Sequence, residues 1–371
     1  VADDLIDLGI GQPDPALLPR ELLLRDAAAR VLARPGNDFL RYGPEEGAAS
    51  LREALAAFLT RHYRRPVAAA DLLVTNGASH GLDLVLGLFT SPGDRVVVEA
   101  PTYFFGLDVL RDRRVRPVPV PVDAEGLDPD ALAARLRDEA PALIYTIPVF
   151  QNPTGVTLSP ARRRRLVELA AAYDCPVVAD EVYQLVVPPA RVPPPLRAYD
   201  PARVLSLGSF AKILGPGVRL GWVECAPGYV ARLRDNGVLR SGGGASPMTG
   251  ALVEAAIRAG DQDRFLGMLR EVYDRRRRHA IRELARTLPG DVRVDYPDGG
   301  YYVWLELPPG VDAGALHADA VAAGVGFRPG TVFSVDGSFA NCLRLCFTYH
   351  GERRLTVAIE RLGKVLGAAI G

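Results

Sequence analysis

The sequence predicts an α/β protein in which a mostly parallel sheet lies between helices and a smaller α+β domain follows. Strand-like and helix-like segments alternate over residues 72–223 at the spacing of a layered sheet. Several of the strand-like segments are apolar throughout, as in strands buried on both faces. After Pro289 that alternation gives way to a different pattern. At roughly 100–200 residues per domain, 371 residues hold two or three structural units.

Each element has its own signal. Residues 1–44 are rich in Gly and Pro, with a short helical piece near 21–33. Apolar residues recur at helical spacing over 49–61. Strands are then predicted at 72–75, 95–99, 115–120, 143–147, 176–179, 204–207 and 220–223. Helices are predicted between them at 79–89, 103–110, 129–137 and 161–173. The Pro-rich stretch 187–196 reads as a loop, as do 214–217 and 241–247. Helices at 248–259 and 263–288 lead out of the sheet. The last part reads as strand 301–307, helix 313–323, strand 342–347 and closing helix 352–369.

Composition narrows the function classes. Lys+Arg and Asp+Glu are both 44, so the formal net charge is zero and no nucleic-acid partner is expected. No run of 18 apolar residues exists, so no membrane partner is expected. Cys175, Cys225, Cys342 and Cys346 are too few and scattered for a disulfide framework, and no metal site is expected. The start shows no basic-then-apolar signal segment, and a cytoplasmic enzyme is expected.

Among 44 basic residues only Lys212 and Lys364 are lysines. A surface lysine is replaceable by arginine, but an amine nucleophile is not, because guanidinium stays protonated. Lys364 lies in the closing helix with no polar constellation. Lys212 follows an apolar strand in Gly208-Ser-Phe-Ala-Lys212 and runs on through glycine-rich backbone to Arg219. A hydroxyl (Ser209) and a guanidinium (Arg219) near one amine suit an anionic cofactor. Lys212 alone also reads as a loop lysine.

Three further segments carry chemistry. Thr75-Asn-Gly-Ala-Ser-His-Gly81 joins a strand to a helix, whose first N–H groups would receive an anion. Its Gly77-x-Ser79-x-Gly81 also matches a nucleophile elbow, with Asp180 and His350 as partners of a hydrolase triad. Phe150-Gln-Asn-Pro-Thr-Gly155 follows a strand, where ligands of open α/β sheets sit, although Asn-Pro-Thr-Gly alone is a turn. Asp180 ends the apolar strand before Glu-Val-Tyr183. A carboxylate there is costly unless it meets a cation, such as a protonated pyridine nitrogen, or caps a helix.

In order and spacing these blocks resemble pyridoxal-phosphate enzymes of the aspartate-aminotransferase fold. The similarity is greatest to the branch of 2-aminoadipate and aromatic aminotransferases and of the aminotransferase-like domains of GntR-type regulators. It runs from about Ile6 to Gly367 and includes Gly11-Gln-Pro-Asp14, Tyr42-Gly-Pro-Glu-Glu-Gly47, Pro101-Thr-Tyr103, Pro216-Gly-Val-Arg219, Gly299-Gly300 and Leu343-Arg-Leu345. The resemblance implies fold type I, with a seven-stranded, mostly parallel sheet. It divides the chain into an N-terminal segment (1–44) shared between small domain and dimer contacts, a large cofactor domain (45–288) and a small domain (289–371).

By resemblance, Lys212 bonds the cofactor and shuttles the substrate proton, Asp180 holds the pyridine nitrogen protonated and Tyr103 stacks on the ring. Asn152 and Tyr183 bond its phenolic oxygen. The amides of Ala78 and Ser79, with Ser209 and Arg219, hold the phosphate. Tyr42 reaches the phosphate of the neighbouring subunit, which implies a homodimer with shared sites. Arg344 clamps the substrate carboxylate, Asn152 contributes to that site, and Gly11 lets backbone approach the substrate. The implied reaction moves the amino group of an L-amino acid to a 2-oxo acid, with 2-oxoglutarate expected. Lyase, replacement, cyclase or oxidase chemistry on the same scaffold is the alternative. Departures from the family pattern are Ala211 in place of serine, His80 in place of glutamine, the Gly242-Gly-Gly244 run and the Pro-rich loop. The segment that precedes the first glycine motif in the aminoadipate branch is mostly lacking. An acidic side chain would want a second cation, for which Arg20 is the candidate.

Overall fold

The apolar runs pair into one large sheet. In the computed structural model, which describes residues 5–371, the chain opens on a two-residue strand, β1 (Ile6–Asp7). The large sheet comprises β2 (Leu72–Thr75), β3 (Arg95–Ala100), β4 (Arg116–Asp123), β5 (Gly126–Leu127), β6 (Leu143–Thr146), β7 (Val177–Asp180), β8 (Val204–Ser209) and β9 (Gly221–Glu224). Their spatial order is β2-β9-β8-β7-β6-β3-β4-β5. The strands β4, β3, β6, β7 and β8 run parallel. The expected seven strands gain a short eighth, because β5 folds back on β4 as a hairpin.

Burial on both faces explains the apolar strands. Along β3, Val96 and Val98 enter one apolar cluster and Val97 the other. Helices cover both faces, and several start at a side-chain cap. Asp128, Ser159 and Ser246 accept backbone N–H bonds at the starts of Pro129–Glu139, Pro160–Ala172 and Pro247–Arg258. These caps satisfy donors that no intrahelical carbonyl reaches.

Direction decides where the site forms. Strand β9 is antiparallel to both β8 and β2, so β2 again runs with the parallel set. The C-terminal ends of β2, β3, β6, β7 and β8 therefore share one edge with the start of β9. Each chemical motif of the large domain follows or precedes a strand at that edge.

The smaller sheet stands apart. It contains β10 (Arg293–Asp295), β11 (Tyr302–Glu306), β13 (Arg328–Pro329) and β14 (Cys342–Cys346), antiparallel in the order β10-β11-β14-β13. The remaining strand, β12 (Val325–Gly326), pairs with β1 in parallel. Ile6 and Leu8 thereby join the small apolar core with Leu343 and Leu362. The long helix Asp261–Thr287 places Phe265 and Leu269 in the large core, and Ala280 and Leu284 in the small one.

Local geometry departs from the sequence expectation in several places. The helical piece near 21–33 is π-type over Leu22–Ala27 and α over Ala28–Leu32. Helix Pro227–Arg234 escapes the sequence reading, because Pro-Gly at its start is also turn chemistry. The strands β1, β10, β12 and β13 have two or three residues and carry no periodicity to detect. No helix follows Asp180, so the helix-cap reading fails, and Tyr183 lies in a run of turns. The Pro-rich loop holds a short 3-10 turn at Pro189–Arg191 and is tied down at its carbonyls. Gln184 Nε2 donates to Pro193 O at 2.8 Å, and buried Arg163 Nη1 donates to Pro194 O at 3.0 Å.

Candidate active site

At the shared strand edge, a cavity of about 530 Å³ opens between the large sheet and the small domain. Every residue assigned to the site from the sequence lines it, except Tyr42.

Lys212 ends the 3-10 turn Phe210–Lys212 directly after β8. Its Nζ donates to Gly11 O at 2.7 Å and lies 5.8 Å from the Tyr183 ring centre. Burial pushes the amine down to about 8, and the positive charge of Arg344 adds to that shift. A lysine in this state is half neutral at about pH 8, well below an ordinary lysine, so a neutral fraction is at hand for a nucleophile or proton carrier. Glycine at position 11 leaves room for the Tyr302 hydroxyl, which a Cβ there would strike.

Asp180 closes β7 in the same cavity. Tyr145 Oη donates to its Oδ2 at 2.9 Å, while its buried Oδ1 has no hydrogen-bond partner. Burial holds this carboxyl above its ordinary range, opposed by the Tyr145 bond, the Val182 amide and Lys212. A buried acceptor without a donor is costly, and a protonated ring nitrogen would satisfy it.

The opposite corner collects donors for an anion. Helix Ala78–Phe89 starts there, and its first amides have no carbonyl within the helix. Gly77 precedes it at φ +88°, and a Cβ there would strike the Arg219 guanidinium at 2.8 Å. Arg219 is held at the entry to β9 by its bonds to Pro216 O and Asn76 O. Ser209 Oγ accepts from Ala211 N at 3.1 Å, which leaves its hydroxyl proton to donate. Ala211 contributes no hydroxyl, and His80 turns its ring to Asn76 N.

Arg344 reaches the cavity from β14. It is 2% exposed, donating to Asn152 Oδ1 at 2.8 Å and to Gly9 O at 2.7 Å. Its Cζ lies 4.1 Å from the Tyr302 ring centre. Its buried Nε has no partner, so the fork keeps donors for a carboxylate. Asn152 spends its carbonyl oxygen on Arg344, which leaves its amide donors. The Asn152 turn is fixed from behind, since Gln151 Nε2 donates to the buried Glu99 at 3.0 Å and to Pro101 O at 2.6 Å. Tyr183 Oη donates to Tyr302 Oη at 3.1 Å, and Tyr103 stands at the head of helix Phe104–Asp112.

These groups fit pyridoxal phosphate. One amine, one buried carboxylate oxygen lacking an N–H donor, and one anion corner converge on a single cavity. Among the described residues no His, Cys, Asp and Glu cluster is placed to hold a metal ion, and no helix is long and apolar enough to cross a membrane. The hydrolase triad does not assemble: Ser79 and Asp180 line the cavity, whereas His350 does not, and its ring bonds to Asp7 O at 3.1 Å.

Tyr42 is elsewhere. It is 87% exposed and lines a second cleft with Gly242 and Gly244. Arg20 is exposed and does not line the cavity. Sequence reasoning missed Tyr145, Tyr302 and Arg328. The two tyrosines lie in segments read simply as strands, and Arg328 lies in a strand of two residues.

Comparison with known proteins agrees with this geometry. Residues 3–362 match the family model described as aminotransferase class I and II. An aromatic-amino-acid aminotransferase from Thermococcus litoralis is 34% identical, over 98% of this chain and 88% of its own length. A 2-aminoadipate transaminase from Thermus thermophilus is 34% identical, over 96% and 88%. The crystal structure of a Pyrococcus horikoshii kynurenine aminotransferase in complex with PMP superimposes with a TM-score of 0.92 at 31% identity. That match covers all of this chain and 92% of the other.

Proposed function

Since the chain belongs to the class I and II aminotransferases, and so moves an amino group from an amino acid to a 2-oxo acid with pyridoxal phosphate, we propose that the cavity around Lys212 is its active site and 2-oxoglutarate an acceptor. The observation that carries this is the convergence of the Lys212 amine and the unsatisfied Asp180 oxygen on one cavity. When bound, the cofactor supplies an aldehyde that takes up the amino group and a ring that draws electrons from the α-carbon.

The protein's part is positioning and proton transfer. Lys212 Nζ would hold the cofactor at its aldehyde carbon and, once displaced by the substrate amine, would carry the proton from the substrate α-carbon to that cofactor carbon. Asp180 keeps the ring nitrogen protonated, and Tyr103 stacks on the ring. Asn152 would donate to the phenolic oxygen, and Tyr183 would join it by turning its hydroxyl proton away from Tyr302 Oη. Ala78, Ser79, Ser209 and Arg219 hold the phosphate. Arg344 grips the α-carboxylate common to both substrates, and Gly11 keeps the backbone close. A panel of amino acids with 2-oxoglutarate, read by mass spectrometry of the products, tests the reading. Paired 2-oxo acid and glutamate are expected. Product formed without consumption of 2-oxoglutarate would favour elimination or cyclisation.

We further propose a homodimer with shared sites, supported by what one chain leaves exposed. Leu24, Leu32, Leu40 and Tyr42 are 66–87% exposed in or near elements that pack on helix Pro247–Arg258. A second copy would cover them and bring Tyr42 to the partner's phosphate corner. Tyr42→Ala chains mixed with Lys212→Ala chains are then expected to recover up to about one quarter of parent activity, because half the dimers carry one intact site. No recovery despite verified subunit exchange would put Tyr42 to work within its own chain. The division into segments 1–44, 45–288 and 289–371 belongs to the same proposal, supported by the separate large and small cores. The four cysteines are unpaired, which suits a reducing compartment, and we place the enzyme in the cytoplasm.

A further inference from the structure

A second guanidinium lines the cavity. Arg328 of β13 lies directly opposite Arg344 of β14 in the antiparallel register. Residues paired this way send their side chains to the same face, with Cβ atoms about 4.5–5.5 Å apart. Their surroundings differ. Arg344 is buried and tied to Asn152 and Gly9. Arg328 is exposed and, among the described residues, has no hydrogen-bond, ion-pair or ring partner. Exposed arginines elsewhere in the fold do meet carboxylates, as in Arg25 with Glu21 and Arg286 with Glu283.

The Arg328 stem is nevertheless seated. A Cβ on Gly9 would stand 3.1 Å from Arg328 Cγ, so the stem lies over that glycine. Gly9 O is also an acceptor of Arg344. One glycine thus fixes the buried cation and supports the base of the free one, side by side at the cavity wall.

We infer that Arg328 binds the side-chain carboxylate of a dicarboxylic substrate, while Arg344 holds its α-carboxylate. This inference rests on the aminotransferase reading of the same cavity. Two carboxylates on one molecule need two cations, and Arg20, the other candidate, does not line the site. Exposure of Arg328 suits an enzyme that must take two side chains in turn. The head can stay in water when the second substrate is uncharged, so no buried charge is left unpaired. Phe104 and Phe105, which line the same cavity, then offer apolar surface to that second side chain.

The test compares 2-oxoglutarate with 2-oxopentanoate, which has the same carbon count but lacks the second carboxylate. The holoenzyme and its Arg328→Gln and Arg328→Lys variants are assayed with one amino donor. The ratio of kcat/KM for 2-oxoglutarate over 2-oxopentanoate is expected to fall about tenfold or more in Arg328→Gln, the scale of one charge-assisted hydrogen bond. Arg328→Lys should keep most of the ratio, and added salt should lower it in the parent. A ratio within twofold of the parent in Arg328→Gln would overturn the inference and leave amino transfer standing. So would a parent that turns over 2-oxopentanoate but not 2-oxoglutarate. A parent that aminates no oxo acid would overturn the aminotransferase reading and this inference with it.

Discussion

Replacing Lys212 with alanine is expected to lower amino-group transfer by at least ~10³-fold while the protein stays folded. The side chain makes one hydrogen bond, to Gly11 O, and its acceptor lies at the wall of an open cavity. Removing it therefore exposes little that water cannot satisfy. Function loses more, because the same amine holds the cofactor aldehyde and carries the substrate proton. Arginine cannot substitute, since guanidinium does not give up its proton at working pH. The pH response of the parent is expected to report the same role. An amine lowered to about 8 is mostly protonated below that pH and mostly neutral above it. Loading of cofactor-free protein with pyridoxal phosphate should accelerate through pH 8 and then level off. A rate still climbing steeply near pH 10 would mean an ordinary exposed lysine. Circular dichroism and a single-turnover assay of Lys212→Ala check the rest, and activity within tenfold of the parent would exclude Lys212 from the chemistry.

The second large effect falls on Asp180. Asp180→Asn keeps the shape of the side chain and removes its charge. Its Oδ1 lies buried without a donor, and Tyr145 occupies only Oδ2. A carboxylate held this way stabilises a positive ring nitrogen, which makes the ring a better acceptor of electrons from the α-carbon. The amide cannot stabilise that charge, so kcat should drop about 10²–10³-fold, the scale seen when one placed electrostatic group is lost. Cofactor should remain bound, because the phosphate corner and Lys212 are untouched. Tyr145→Phe should act in the same direction but less, since it changes only the support of Asp180. Turnover of Asp180→Asn within tenfold of the parent would show that this residue does not hold the ring nitrogen.

Lys212 and Asp180 were legible in the sequence for physical reasons. In an arginine-rich chain, a retained lysine beside a hydroxyl and a guanidinium, as Lys212 is beside Ser209 and Arg219, points to a need for a titratable amine. In the run Val177-Val-Ala-Asp180, a charge closes a strand that is otherwise wholly apolar. Strand-end motifs were legible because the parallel sheet puts consecutive strand ends on one edge. Pairing across the small sheet was not. Arg328 meets Arg344 only through an antiparallel register between segments separated by a loop, and two-residue strands carry no periodic signal. Tyr302 was hidden differently. Adjacent residues of a strand face opposite ways, and nothing in Tyr301-Tyr302 says which one reaches the cavity. Tyr42 illustrates a third limit, because its place in one chain is an exposed cleft.

The most direct measurement is borohydride reduction of the cofactor-loaded protein followed by peptide mapping. The chain has only two lysines, so the result is close to binary. A pyridoxyl group on Lys212, with Lys364 unmodified, is the predicted result. Stoichiometric labelling of Lys364, or no lysine label in protein that demonstrably holds the cofactor, would contradict the assignment of Lys212.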